Sequence, residues 1–193
     1  KKKICIIGTG GHAASCIDLI ESTKKFKIVG VISKKNEMTI KDKFLSDYNI
    51  VGNDDDYKKI LKLCNNLALG ISFYKNLSLR EKLFNKFKKM GFNFPAICSP
   101  RSYISRNVKI GEGMQIFHGV TINKNSRVGK NCIINSHSLI EHDVYLGNNT
   151  QISTGVIING GCNINKNSFI GSASILRENI SIKEKSFIKM GSI

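Results

Sequence analysis

Residues 104–134 read ISRNVKIGEGMQIFHGVTINKNSRVGKNCII, and an aliphatic residue returns in them at every sixth position. The register continues without a slip to Ile188. Ile104, Ile110, Ile116, Ile122, Val128, Ile134, Ile140, Leu146, Ile152, Ile158, Ile164, Ile170, Leu176, Ile182 and Ile188 fill fifteen consecutive slots. The slot two residues earlier is mostly small or β-branched, as at Val120, Ser126, Cys132, Ser138 and Val144. The slot just after often holds Gly or Asn, as at Gly111, Asn123 and Gly129. A period of six fits neither a helix nor an alternating strand. It is the mark of a parallel β-helix of hexapeptide repeats, each a short strand, an inward aliphatic residue and a corner. Gly or Asn at the corner tolerates positive φ. A solenoid of this kind buries only its own axis, so its outer faces are expected to pair about a three-fold axis as a homotrimer.

The first half reads differently. Lys3 to Gly8 (KICIIG) is a short β-branched strand, followed by Gly8-Thr9-Gly10-Gly11-His12 and an amphipathic helix over Ala13–Ser22. Strand, glycine turn and helix open a βαβ unit. A second strand is expected over Lys27–Ser33, then a polar connection over Lys34–Asn53. Asp54, Asp55 and Asp56 can cap a helix over Tyr57–Cys64. A third strand near Leu67–Ser72, a lysine-faced helix over Leu79–Met90 stopped by Gly91, and a last strand over Phe92–Ile97 complete the domain. The expected organisation is a small Rossmann-like α/β domain with a parallel sheet over residues 1–98, then the β-helix over 99–193.

The six cysteines are scattered and form no C-x-x-C pair, which argues against a structural zinc site or a disulfide framework. Cys132 and Cys162 fall in the small inward slot and read as buried, inert thiols. A formal charge of +16 suits an anionic partner. Arginines are not interleaved with aromatics, however, so nucleic acid is disfavoured and phosphorylated small molecules such as coenzyme A or a nucleotide-sugar fit better. With no bilayer-length apolar run and no signal-peptide pattern, no membrane association is expected and the location reads as cytoplasmic.

Gly8-x-Gly10-x-x-Ala13 is a loose dinucleotide fingerprint, but Ser33 and Lys34 stand where an acidic residue would hold a ribose. A dehydrogenase is therefore disfavoured. A glycine turn at a helix N-terminus still offers amides to an anion, and His12 either contacts a ligand there or caps the helix in water. His118, His137 and His142 all lie on the repeat. Glu141-His142-Asp143 puts an imidazole between two carboxylates, which suits either a general base or a surface ion pair.

Together the IIGTGGHA opening, the bridge Pro95-Ala96-Ile97-Cys98-Ser99-Pro100 and the repeat bearing Ile140-Glu141-His142-Asp143 resemble the bacterial sugar O-acyltransferases of the sialic-acid O-acetyltransferase (NeuD) type. That group includes the PglD-like UDP-amino-sugar N-acetyltransferases. The resemblance implies a left-handed β-helix and acetyl-coenzyme A as co-substrate, without a metal. It also implies His142 as general base and Asp143 as the acid that orients it. Gly10, Gly11 and His12 would contact a nucleotide-sugar, with Ser33 and Lys34 where the family carries an acidic pair. Gln151, Gly160, Ser172 and Gly191 would face the coenzyme, Gly160 also lying near the sugar. N-acetylation of a nucleotide-linked amino-dideoxy sugar for surface-glycan or glycoprotein synthesis is the expected reaction, with O-acetylation of a sialic acid as the alternative. Two other readings remain. One is a γ-type carbonic anhydrase with zinc on His118, His137 and His142; the other is a non-catalytic partner of a sugar-biosynthesis enzyme.

Overall fold

The computed structural model describes residues 1–35, 47–53, 55–73 and 78–193. It divides into two compact units, one of Lys1–Ser72 with Lys82–Pro95, the other of Phe73–Glu81 with Ala96–Ile193.

The first unit is a four-stranded parallel sheet built from β1 (Lys2–Ile7), β2 (Phe26–Ser33), β3 (Ile50–Asn53) and β4 (Leu67–Leu69), in the order β3-β2-β1-β4. Helices α1 (Gly11–Ser22), α2 (Tyr57–Leu63) and α3 (Leu79–Lys89) follow β1, β3 and β4, the first residues of α3 belonging to the second unit. Helix α1 buries Ala13, Cys16, Ile17, Leu19 and Ile20. Its close seat follows from Gly70, where a Cβ would lie 2.6 Å from that of Ala13. Gly8 is fixed by φ +121° and by the Gly70 carbonyl, 2.8 Å from any Cβ placed on it.

Three sequence expectations are corrected here. The polar connection contains a strand, β3, whose four residues were too few to carry a periodic signal. Residues 92–95 are not a strand: Phe92 and Phe94 turn into the core, and only an isolated bridge joins Asn66 to Asn93. Pro95, without an N–H, could not have donated to a ladder. Asp56 does not cap α2 through its side chain; its Oδ2 accepts the Asn53 amide at 2.9 Å, closing the turn after β3. Asp54 lies outside the described residues.

The second unit is the β-helix. Two-residue strands from β5 (Ile97–Cys98) to Phe187–Ile188 stack into three parallel sheets of six, five and five strands. Partners are eighteen residues apart, as in Arg127↔Tyr145 and Leu139↔Ile157. The repeated aliphatic residues form one continuous internal column, which also takes in Val120, Cys132, Val144, Val156 and Cys162. Burial pushes the Cys132 thiol up to about 12 and raises that of Cys162, so both stay protonated.

The corner differs from its sequence reading by two positions. Positive φ falls three residues after the aliphatic, from Gly113 and Gly119 through Asn125, Asn131, His137 and Asp143 to Gly191. The glycines directly after the aliphatic serve another need. A Cβ on Gly111, Gly147 or Gly171 would come within 2.4–2.6 Å of the next coil's backbone. Phe73 and Arg80 lie against the outward face of the six-stranded sheet. The fully buried Arg80 lies there with its Nη2 3.1 Å from Gln115 Oε1 and its guanidinium over the Phe73 ring.

Candidate active site

The corner after the Leu139–Ile140 strand carries Glu141, His142 and Asp143. Asp143 adopts φ +60°, a conformation that Asp tolerates better than most side chains. In this turn the carboxylate folds back on the preceding ring, with His142 Nδ1 2.8 Å from Asp143 Oδ2. Asp143 Oδ1 accepts the Asn125 amide, one coil earlier, at 3.1 Å. These contacts, His142 first and Asn125 second, hold the Asp143 carboxyl below the usual carboxylate range. A carboxylate on Nδ1 selects the tautomer with hydrogen there, so Nε2 is the basic nitrogen. The His142 side chain is 64% exposed, so that nitrogen is open to a substrate.

Two neighbours hold the ring in place: Ser126, which the sequence offered only as a small inward residue, and Gly160, which it offered as a ligand contact. Ser126, in the small inward slot, donates to the Glu141 carbonyl at 2.7 Å and accepts the Val144 amide at 3.2 Å, clamping both ends of the turn. Gly160 lies one coil on, and a Cβ there would sit 2.7 Å from His142 Cε1 and 2.9 Å from Nε2. Its φ is not in the left-handed region, so what the glycine provides is room for the imidazole. Eighteen-residue spacing was the available signal for both Asn125 and Gly160.

The imidazole does not lie between two carboxylates. Glu141 turns away and accepts the Asn123 amide at 2.9 Å. His137 and His142 stand at different corners, separated by the Leu139–Ile140 strand. Among the described residues, no group of three His, Cys, Asp or Glu is placed to hold a metal ion.

Of the residues expected to face the coenzyme, Gln151 and Ser172 line one groove of about 400 Å³ with Phe169, Phe187 and Lys189. The two phenyl rings stack at 4.7 Å with planes 6° apart. Gln151 Oε1 also accepts the Phe73 amide at 2.8 Å, so that end of its amide is committed to holding Phe73. Gly191 donates its amide to the Ser172 carbonyl at 2.9 Å. In the first unit, Gly10 caps α1 without a side-chain bond, and neither Gly10 nor Gly11 has a heavy atom within 4 Å of an added Cβ. The helix N-terminus there is open. His12 is half-buried in its first turn, Ser33 is buried at the end of β2, and Lys34 is exposed.

Residues 3–87 match the family model described as the PglD N-terminal domain. Among curated proteins none matches the chain in sequence. Solved structures share its fold across both units. PerB from Caulobacter crescentus, in complex with CoA and GDP-perosamine, superposes with a TM-score of 0.88 at 24% identity, over 98% of this chain and 86% of that one. The acetyltransferase domain of PglB from Neisseria gonorrhoeae FA1090, in complex with acetyl coenzyme A, gives 0.87 at 17% identity over 100% and 90%. WeeI from Acinetobacter baumannii AYE gives 0.71 at 18% identity over 99% and 90%.

Proposed function

We propose that the chain is an acetyl-coenzyme A-dependent N-acetyltransferase acting on a nucleotide-linked amino-dideoxy sugar. The observation that carries this reading is the His142–Asp143 pair, with Nδ1 tied to an ionised carboxylate and the opposite edge of the ring exposed over Gly160. The PglD N-terminal match and the likeness in fold to PerB and to the PglB acetyltransferase domain support it.

In the proposed reaction His142 Nε2 takes a proton from the sugar amine as the nitrogen attacks the thioester carbonyl. Asp143 stabilises the imidazolium that forms. Main-chain amides at the corner hold the oxyanion. The tetrahedral intermediate then collapses, the C–S bond breaks, and the imidazolium returns the proton to the coenzyme thiolate. No enzyme nucleophile is needed. Holding both substrates together supplies much of the acceleration. The coenzyme lies along the groove of Ser172, Phe169 and Phe187, and Gly10, Gly11 and His12 receive the nucleotide-sugar.

The working form is a cytoplasmic homotrimer. The outward residues of one sheet, Tyr103, Thr121, Leu139, Ile157 and Ile175, form an apolar stripe with Tyr103 62% exposed, a surface suited to pairing with another copy. Release of free thiol from acetyl-coenzyme A, measured against UDP-, dTDP- and GDP-amino sugars and free sialic acid, tests the reading. Turnover with an amino sugar is expected; turnover with sialic acid alone would replace it with O-acetylation, and none with any acceptor would refute it.

A further inference from the structure

Two cysteines of the first unit meet beneath its surface. Cys5 stands within β1 and Cys64 closes the end of α2, and both belong to one buried cluster, Cys5 0% and Cys64 5% exposed. Asn66 pins the bend after α2 to β1. Its side-chain amide donates to the Lys3 carbonyl at 2.9 Å. Its own carbonyl accepts both the Cys5 amide at 3.0 Å and the Cys64 thiol at 3.2 Å. The pairing of Cys5 with Leu67 continues the same register. One carbonyl therefore holds both residues, and their sulfurs come within hydrogen-bonding reach of each other.

The two thiols are unequal. The Cys5 thiol donates to the Cys64 sulfur, and the Asn66 and Cys5 amides and the Lys3 ammonium also favour the ionised form against the cost of burial; together they hold the Cys64 thiol down at about 7. The same donation, with burial, raises Cys5 far above the usual thiol range, so Cys5 keeps its proton. The cysteines of the β-helix column differ. Cys132 and Cys162 donate to the Gly147 and Arg177 carbonyls of the next coil, at 3.1 and 3.0 Å, and both are raised. Cys64 also lies just under the surface, since Leu61, Leu63 and Asn65 around it are exposed.

We infer that Cys64 and Cys5 form a peroxide-responsive dithiol, in which Cys64 is the attacking sulfur and Cys5 resolves it. The Cys64 thiolate attacks one oxygen of a hydroperoxide. An S–O bond forms, the O–O bond breaks, and the leaving hydroxide or alkoxide takes up the proton that the Cys64 thiol had shed. The Cys5 sulfur then attacks the sulfenic sulfur. An S–S bond forms, the S–O bond breaks, and the Cys5 proton leaves with the hydroxide as water. The thiols give up an electron pair and the peroxide gains it, so hydrogen peroxide yields the disulfide and water. The bridge ties the end of α2 to β1, the strand that leads into Gly10, Gly11 and His12, and a thiol reductant reverses it. No part of this depends on acetyl transfer.

Peptide mass spectrometry of the full chain tests this, after graded hydrogen peroxide and alkylation of the remaining thiols under denaturing conditions. Wild type is expected to yield a peptide pair joined through Cys5 and Cys64, formed before the half-buried Cys98 is oxidised and lost on treatment with dithiothreitol. In Cys5→Ala the resolving sulfur is gone, so dimedone should trap Cys64 as the sulfenic acid. In Cys64→Ala the oxidation of Cys5 should slow about tenfold or more. Cys5 and Cys64 both still alkylated once Cys98 is oxidised would overturn the inference. So would a bridge from Cys64 to any other cysteine, or Cys64 driven to the sulfinic acid in wild type without a bridge. Cys5 oxidised in Cys64→Ala as fast as in wild type would overturn it too. The wild-type peptide map decides the bridge by itself, so a variant that fails to fold leaves the test intact.

Discussion

Of the three β-helix corners that carry histidines, two place the ring in the same slot of the repeat and differ in what it is tied to. His118 and His142 occupy the same slot of the repeat, two residues after the inward aliphatic. His118 is half-buried, with Nδ1 2.6 Å from Ser99 Oγ, a hydroxyl that is itself buried and also accepts the Arg101 amide. His142 is exposed, with Nδ1 on a carboxylate. A neutral hydroxyl orients an imidazole; a carboxylate also stabilises the charge that the ring acquires when it accepts a proton. The decisive difference is the next residue, at the positive-φ position of the corner: Gly119 after His118 and Asp143 after His142. The coil beyond differs too. Gly160 leaves room for the ring of His142, whereas Ser136 stands at the same place beyond His118. One backbone, repeated, therefore gives a hydroxyl-held histidine at one corner and, in the proposed reaction, the base at the other.

The largest expected effect separates the two corners outright. His142→Ala should lower acetyl transfer on the order of a thousandfold with the Tm preserved, and His118→Ala should stay within about threefold, as steady-state rates would show. Equal losses would erase the distinction. Gly160→Ala comes next. Its methyl group would collide with Cε1 and tilt the ring, so kcat should fall about a hundredfold with little change in the KM for coenzyme A. Asp143→Asn keeps a hydrogen-bonding group but removes the charge, and roughly a tenfold loss is expected, sharpening the carboxylate's part in the comparison. Smallest is Ser126→Ala. Losing the clamp on Glu141 and Val144 should cost about 1 kcal/mol of stability, read as a Tm lower by a few degrees, with a rate loss of only several-fold.

Much of this could be read from the residues. The six-residue period named the β-helix because its aliphatic column fills the axis of the coils, and a slip would have broken it. The βαβ opening was equally plain in Lys3–Gly8 and the glycine turn. What the period hides is anything that depends on the neighbouring coil. Asn125, Ser126 and Gly160 reach the His142 turn across eighteen-residue steps. The exchange of Phe73–Glu81 into the second unit was hidden for a different reason. A buried Arg80 within a lysine-rich helix looks like one more solvated charge until Gln115 and Phe73 are seen around it. β3 was missed because four residues carry no period, and Phe92–Pro95 was misread because buried aromatics and a proline override the strand pattern.

The pH dependence of kcat/KM for acetyl transfer, measured for wild type beside His142→Asn, bears most directly on His142 as the base. Wild type is expected to show an acid limb that reports a single deprotonation, and the residual rate of the variant is expected to lack it. The same acid limb in both proteins would contradict the assignment and place the base elsewhere.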